Sequence, residues 1–136
     1  MRTLIAARLY LTLTAFVIAF QIALAAGAPW GEFTMGGAYL GVLPPRMRVA
    51  AVGSALLLSA LGAIVAARAG LGLSRLQRAA RRGIWFVVAY TVVGVALNAA
   101  TPSARERSLW LPVILLMSLC AFVVARAGPD SDPAHT

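Results

Sequence analysis

Glu32 and Glu106 are the only glutamates in this 136-residue chain, and arginines follow or flank both: Arg46 and Arg48 after the first, Arg105 and Arg107 around the second. Carboxylates become acids, bases or nucleophiles when a second titratable group or a metal stands beside them. Those companions are missing from the sequence. The one histidine, His135, lies in a polar tail, the one cysteine, Cys120, lies inside an apolar run, and no CxxC, HExxH or Gly-rich phosphate loop occurs. A single thiol also excludes an intrachain disulfide. No catalytic residue, metal site or cofactor is therefore expected. Two readings of the glutamates stay open: loop charges neutralised locally, or a small polar pocket under a rim of Trp30 and Trp110.

The other chemistry-bearing residues are amides and hydroxyls far from the ends of apolar runs: Gln21, Asn98, Thr91 and Ser118. Proton-coupled transporters and intramembrane enzymes normally carry an ionisable group at that depth, and no apolar run here has one. Amides in such runs act as interhelical hydrogen-bond partners or as ligand contacts. The candidate cluster at the outer face is thus Glu32, Arg46, Asn98, Glu106, Arg107 and Trp110. Glu106 and Trp110 are four residues apart and share a helical face. Arg46 follows Pro44 and Pro45, and its planar fork suits a carboxylate. Arg46 is the expected partner of Glu106, with Arg107 second.

The elements that must position these residues follow from composition. Hydrophobic side chains make up 61% of the chain and charged ones 12%, against roughly a quarter charged in soluble domains. Mean hydropathy is +0.86. Soluble enzymes, secreted disulfide scaffolds and nucleic-acid-binding domains are excluded. Four uncharged runs stand out: Leu9–Gly31, Val49–Ala67, Gly83–Ala104 and Ser108–Ala125. Each is near the about 20 residues that carry a helix across a bilayer, and none fits twice. The expected fold is an all-α, four-transmembrane-helix bundle in one domain, 1–127. Its spans lie at about 7–28, 47–67, 83–101 and 104–126, and 128–136 is a disordered tail. Ala23-Leu24-Ala25 and Ala26-Gly27-Ala28 have cleavage-site character, but the first run exceeds a signal-peptide core, so a retained span is expected.

The net charge is +8, with twelve arginines and no lysine. A GC-rich genome produces the same bias. Eight arginines (2, 8, 68, 75, 78, 81, 82 and 126) fall on one side of the spans and four on the other (46, 48, 105 and 107). The positive-inside rule then places both termini in the cytoplasm, where anionic lipid headgroups are the expected partners rather than nucleic acid. Trp85 falls at the inner boundary, and Trp30 and Trp110 fall at the outer one. Between Gly70 and Gly83, Leu73, Leu76 and Ala80 share one helical face, with Arg75, Arg78 and Arg82 on another. This is either a basic helix lying on lipid or a topological anchor.

Small residues recur every four positions in the first two spans, at Ala15, Ala19 and Ala23 and at Ala55, Ser59 and Ala63. Close approach through small residues holds membrane helices together, so these stripes are expected to face each other. Ser103 and Glu106 have capping-box spacing, which starts span four there and leaves Pro112 inside it, with a kink expected at the proline. A faint repeat lays Ile22–Trp30 over Val95–Ser103 at an offset of 73 residues. The loop from Gly27 to Arg46 is apolar and Gly-punctuated, so it is expected to lie on the helix ends.

The pattern Ala28-Pro-Trp-Gly31, Gly36-Gly37, Gly41-x-Leu-Pro44 and Arg46 resembles a group of small four-span bacterial membrane proteins, mainly actinobacterial. Asn98-x-x-Thr-x-Ser103-x-x-Glu106-Arg107-x-x-Trp110-x-Pro112 continues the match, which covers about residues 16 to 125. Pro102 departs from the pattern. The resemblance implies the fold, a bacterial inner-membrane location and the outer residues; no activity is assigned to the group, so it implies no reaction. Three function classes remain: a non-catalytic protein binding a lipid or partner through its outer face, a small dimeric transporter or permease subunit, and an interfacial lipid-processing enzyme. The first is favoured. The arginine split predicts that a cysteine placed at Ser131 is protected from membrane-impermeant thiol reagents in intact cells; rapid labelling there would reverse the orientation.

Overall fold

The computed structural model describes residues 1–127; the tail at 128–136, with His135, lies outside the described residues. Four helices form: α1 (Arg2–Ala26), α2 (Pro45–Arg68), α3 (Gln77–Ala100) and α4 (Ala104–Arg126). All four are long and apolar enough to cross a membrane, and no strand occurs among the described residues. Local chemistry sets their ends. Gly27 and Gly70 adopt positive φ just past α1 and α2, so the next amides fold back onto the last turn: Ala28 donates to the Ala23 carbonyl and Leu71 to that of Ala66, both at 2.9 Å. Only glycine takes this left-handed position without strain. α2 opens with Pro45, whose missing N–H costs nothing in a first turn. Ser103 caps α4, its hydroxyl accepting the Glu106 amide at 3.2 Å.

Each helix packs beside its neighbours in sequence, and α4 closes the ring against α1. The α1–α2 and α3–α4 loops meet at one end of the bundle, here the hairpin end. The start of α1, the end of α4 and the α2–α3 connection occupy the other, the terminal end. Packing is dense at the terminal end, where Ala7, Tyr10, Leu61, Val65, Ile84, Val87, Ala121 and Val124 are buried together. A smaller cluster of Leu24, Leu43 and Ala51 holds the hairpin end. Glycines bring helices close at three places: a Cβ on Gly62 would touch Thr14, one on Gly83 would meet Ile64 at 3.3 Å, and one on Gly94 would press on Ile114 at 3.1 Å. At the terminal end Trp85 stands edge-on to Phe122, and the Arg126 guanidinium lies over that ring.

Several expectations change. α3 starts at Gln77, and a 3-10 turn over Ser74–Leu76 runs straight into it. The basic segment is therefore the first turns of a membrane-length helix instead of a separate one. Ala80 is buried there, while Leu73 and Leu76 stay exposed. α1 likewise begins at Arg2, about five residues before the expected start. α4 starts at the Ser103 cap and holds Pro112 inside it, as expected. The small-residue stripes meet only in part: Ala55 is buried and Ala23 and Ala63 half-buried, whereas Ala15, Ala19 and Ser59 are exposed. The reason is geometric. A helix turns about 100° per residue, so a strict four-residue stripe drifts by roughly 40° at each step and leaves the interface. The buried face is instead Ala7, Tyr10 and Thr14 on α1 and Ala51, Ala55, Leu58, Gly62 and Val65 on α2. Ser59 can face outward because its hydroxyl donates to the Ala55 carbonyl at 2.8 Å.

Overpacking a filled interface costs about 1–3 kcal/mol. Ala51→Leu is therefore expected to lower the melting temperature in detergent, while Ala19→Leu leaves it unchanged. A lower midpoint for Ala19→Leu alone would invert the assigned faces.

Candidate functional site

The first loop lies on the helix ends because its glycines permit it. The Gly31 amide donates to the Gly41 carbonyl at 2.9 Å. A Cβ on Gly31 would lie 2.5 Å from the Tyr39 carbonyl oxygen and 2.7 Å from that of Gly41, so no side chain fits. Gly36 and Gly37, both at positive φ, lie flat against Pro102 and Ser103 at the start of α4. Leu43 is buried beneath the loop.

Three polar contacts tie this loop to α4. The Trp110 indole N–H donates to the Phe33 carbonyl at 2.7 Å, the Ser103 hydroxyl to the Glu32 carbonyl at 3.3 Å, and Arg105 pairs with the Glu32 carboxylate at 2.5 Å. Phe20 stacks on Trp30, with ring centroids 6.0 Å apart, and meets Trp110 edge-on at 4.7 Å. One phenylalanine thus joins the two tryptophans expected at the rim.

The ion pairing differs from the expected one. Glu32 is neutralised by Arg105; Arg46 is exposed, and no cationic side chain lies within 4.0 Å of the Glu106 carboxylate among the described residues. Glu106 accepts the Thr101 hydroxyl at 2.9 Å, and Arg107 donates to the Thr101 carbonyl at 2.8 Å. Both side chains thereby hold the short α3–α4 turn. Arg48 donates to the Ala25 carbonyl at 2.8 Å, covering the last turn of α1. Asn98 is satisfied within its own helix, donating to the Gly94 carbonyl at 2.8 Å.

Below the loop the four helices surround a cavity of about 290 Å³. Gln21, Asn98, Glu106 and Trp110 line it toward the hairpin end; Val17, Val113, Ile114 and Met117 line its shaft; Tyr10, Tyr90 and Thr91 lie deepest. Along α1 it runs from Gln21 to Tyr10, about 16 Å at 1.5 Å per residue. Val93 and Leu97 also line it and are 57% and 66% exposed, so it opens sideways beside α3. Tyr10 belongs to the lining and Thr14, one turn on, does not; both are buried, and their hydroxyl oxygens are shut off from the cavity with no hydrogen bond of normal geometry. Polar groups so placed are costly unless a partner satisfies them.

Of the six cluster residues, the structure brings Glu106, Trp110 and Asn98 to the cavity and Glu32 and Arg107 to the loop contacts beside it; Arg46 stands apart. Sequence reasoning missed Phe20, Arg105, Tyr10 and Thr14. Two signals could have found most of them. Arg105 lies 73 residues after Glu32, the offset of the faint repeat, and Tyr10 and Thr14 are four apart on one face. No group of three or more metal-ligating side chains occurs among the described residues.

No protein family, curated protein or solved structure matches this chain.

Arg105 is 68% exposed and Glu32 31%, so their pair is worth little; a double-mutant cycle should give coupling of about 0.2–1 kcal/mol. The cycle for Glu106 and Arg46 should give none above about 0.3 kcal/mol, the noise of additivity. Larger coupling between Glu106 and Arg46 would show the wrong partner has been assigned.

Proposed function

We propose that this chain is a non-catalytic integral protein of a bacterial cytoplasmic membrane that binds a lipid or other membrane-dissolved molecule. Its hairpin end faces away from the cytoplasm, and the ligand enters the cavity beneath the Trp30–Phe20–Trp110 rim. One observation carries this reading: a cavity lined by all four helices and open beside α3. Its volume is at the small end of ligand sites, which run about 300–1,000 Å³ and combine apolar walls with a few placed polar groups. The lining here has that composition. No histidine, cysteine or second carboxylate joins Glu106 in the lining, which favours binding over catalysis. A transport role would need a second opening, whereas the floor rests on the buried cluster around Leu61, Ile84 and Val124.

The test is native mass spectrometry of protein purified in mild detergent. The wild-type chain should carry a bound small molecule that is absent from Val113→Phe/Ser54→Leu, in which two lining positions are enlarged. That variant should melt no lower than wild type. Wild-type protein without any adduct, even after incubation with total membrane lipid, would refute the binding role.

A further inference from the structure

The charge of the cavity lining narrows the ligand class. The chain has twelve arginines and a net charge of +8, yet no arginine lines the cavity; its single charged lining side chain is Glu106. That carboxylate receives one hydroxyl donor, Thr101, and has no cation within 4.0 Å among the described residues. One turn along the same face stands Trp110, also in the lining. Its indole is held in place by the bond to Phe33 and by the edge contact with Phe20. A carboxylate beside a fixed indole, above an apolar shaft, is the chemistry that recognises an organic cation. The carboxylate supplies charge, the ring face attracts ammonium through its quadrupole, and the shaft takes up the hydrocarbon part. An anionic headgroup in the same place would meet a like charge and no cation in the lining. We infer that the cavity binds an amphiphilic ammonium, its cationic head between Glu106 and Trp110 and its apolar part against Val17, Val113 and Ile114. This rests on the binding role proposed above and specifies its ligand.

The experiment titrates three octyl probes into the full-length protein in maltoside detergent: octyltrimethylammonium, octyl sulfate and octanol. The readout is intrinsic tryptophan fluorescence. The ammonium should bind saturably and octyl sulfate should not. Glu106→Gln should weaken the ammonium by about tenfold or more, and so should Trp110→Leu, whereas Trp110→Phe, which keeps a ring face, should lose less. Octanol should bind wild type and Glu106→Gln alike. Competition by a short-chain phosphatidylethanolamine would identify a lipid amine as the natural source of the head; its absence would identify a free amine. Equal binding of all three probes to wild type, or an ammonium affinity unchanged in a folded Glu106→Gln, overturns the cation assignment and leaves the cavity a binding site. Failure of every probe on wild type overturns the binding role as well. The probe series uses the unaltered chain, so it decides the question even if a variant misfolds.

Discussion

The hydrogen bond from the Trp110 indole to the Phe33 carbonyl fixes more of this molecule than any other contact. Backbone carbonyls near a bilayer need partners because hydrocarbon supplies none. A loop of this length can therefore lie on the helix ends only if its polar groups are answered by the bundle. Trp110 answers one, Ser103 a second, and Arg105 the neighbouring carboxylate. The same bond sets the plane of the indole. The ring is thus a wall of the cavity, the base of the loop and a neighbour of Phe20.

Packing is divided along the bundle. Small and branched residues fill the terminal half, where Ala7, Val65, Ala121 and Val124 leave no room. In the hairpin half, Ser54, Gln21, Asn98 and the rings of Phe20 and Trp110 line a cavity instead. Membrane helices gain little from apolar burial and depend on close contact. A tight half can therefore hold a looser one in register. The polar residues at the loose end are spent mainly on turns: Glu106 holds the Thr101 hydroxyl and Arg107 its carbonyl.

The sequence showed the four helices clearly, because uncharged runs bounded by arginine have one solution in a bilayer. It also showed the Ser103 cap and the loop lying on the helix ends, since both follow from local rules. Helix faces were less legible. A four-residue stripe such as Ala15–Ala19–Ala23 looks like an interface on paper, yet the small drift per step carries it away from one, and chain-wide alanine hides the real face at Ala7, Tyr10 and Thr14. The partner of Glu106 was misread for a related reason. Arg46 and Glu106 share a membrane depth, but depth says nothing of angle around the ring, and it is Arg105 that turns toward the first loop. The cavity itself has no sequence signature, because it is set by how four helices splay.

Two arginines on one helix cover backbone carbonyls at the ends of two other helices. Arg48, at the start of α2, covers the Ala25 carbonyl at the end of α1, 23 residues earlier. Arg68, at its other end, reaches the Ala127 carbonyl beyond α4, 59 residues later. The order of synthesis gives these bonds different times. The first lies within the leading hairpin and needs nothing made after α2. The second waits for the last helix. Without it the ring has no packed interface between α3 and α1, and that final helix brings in Glu106, Trp110 and the contacts to the first loop together.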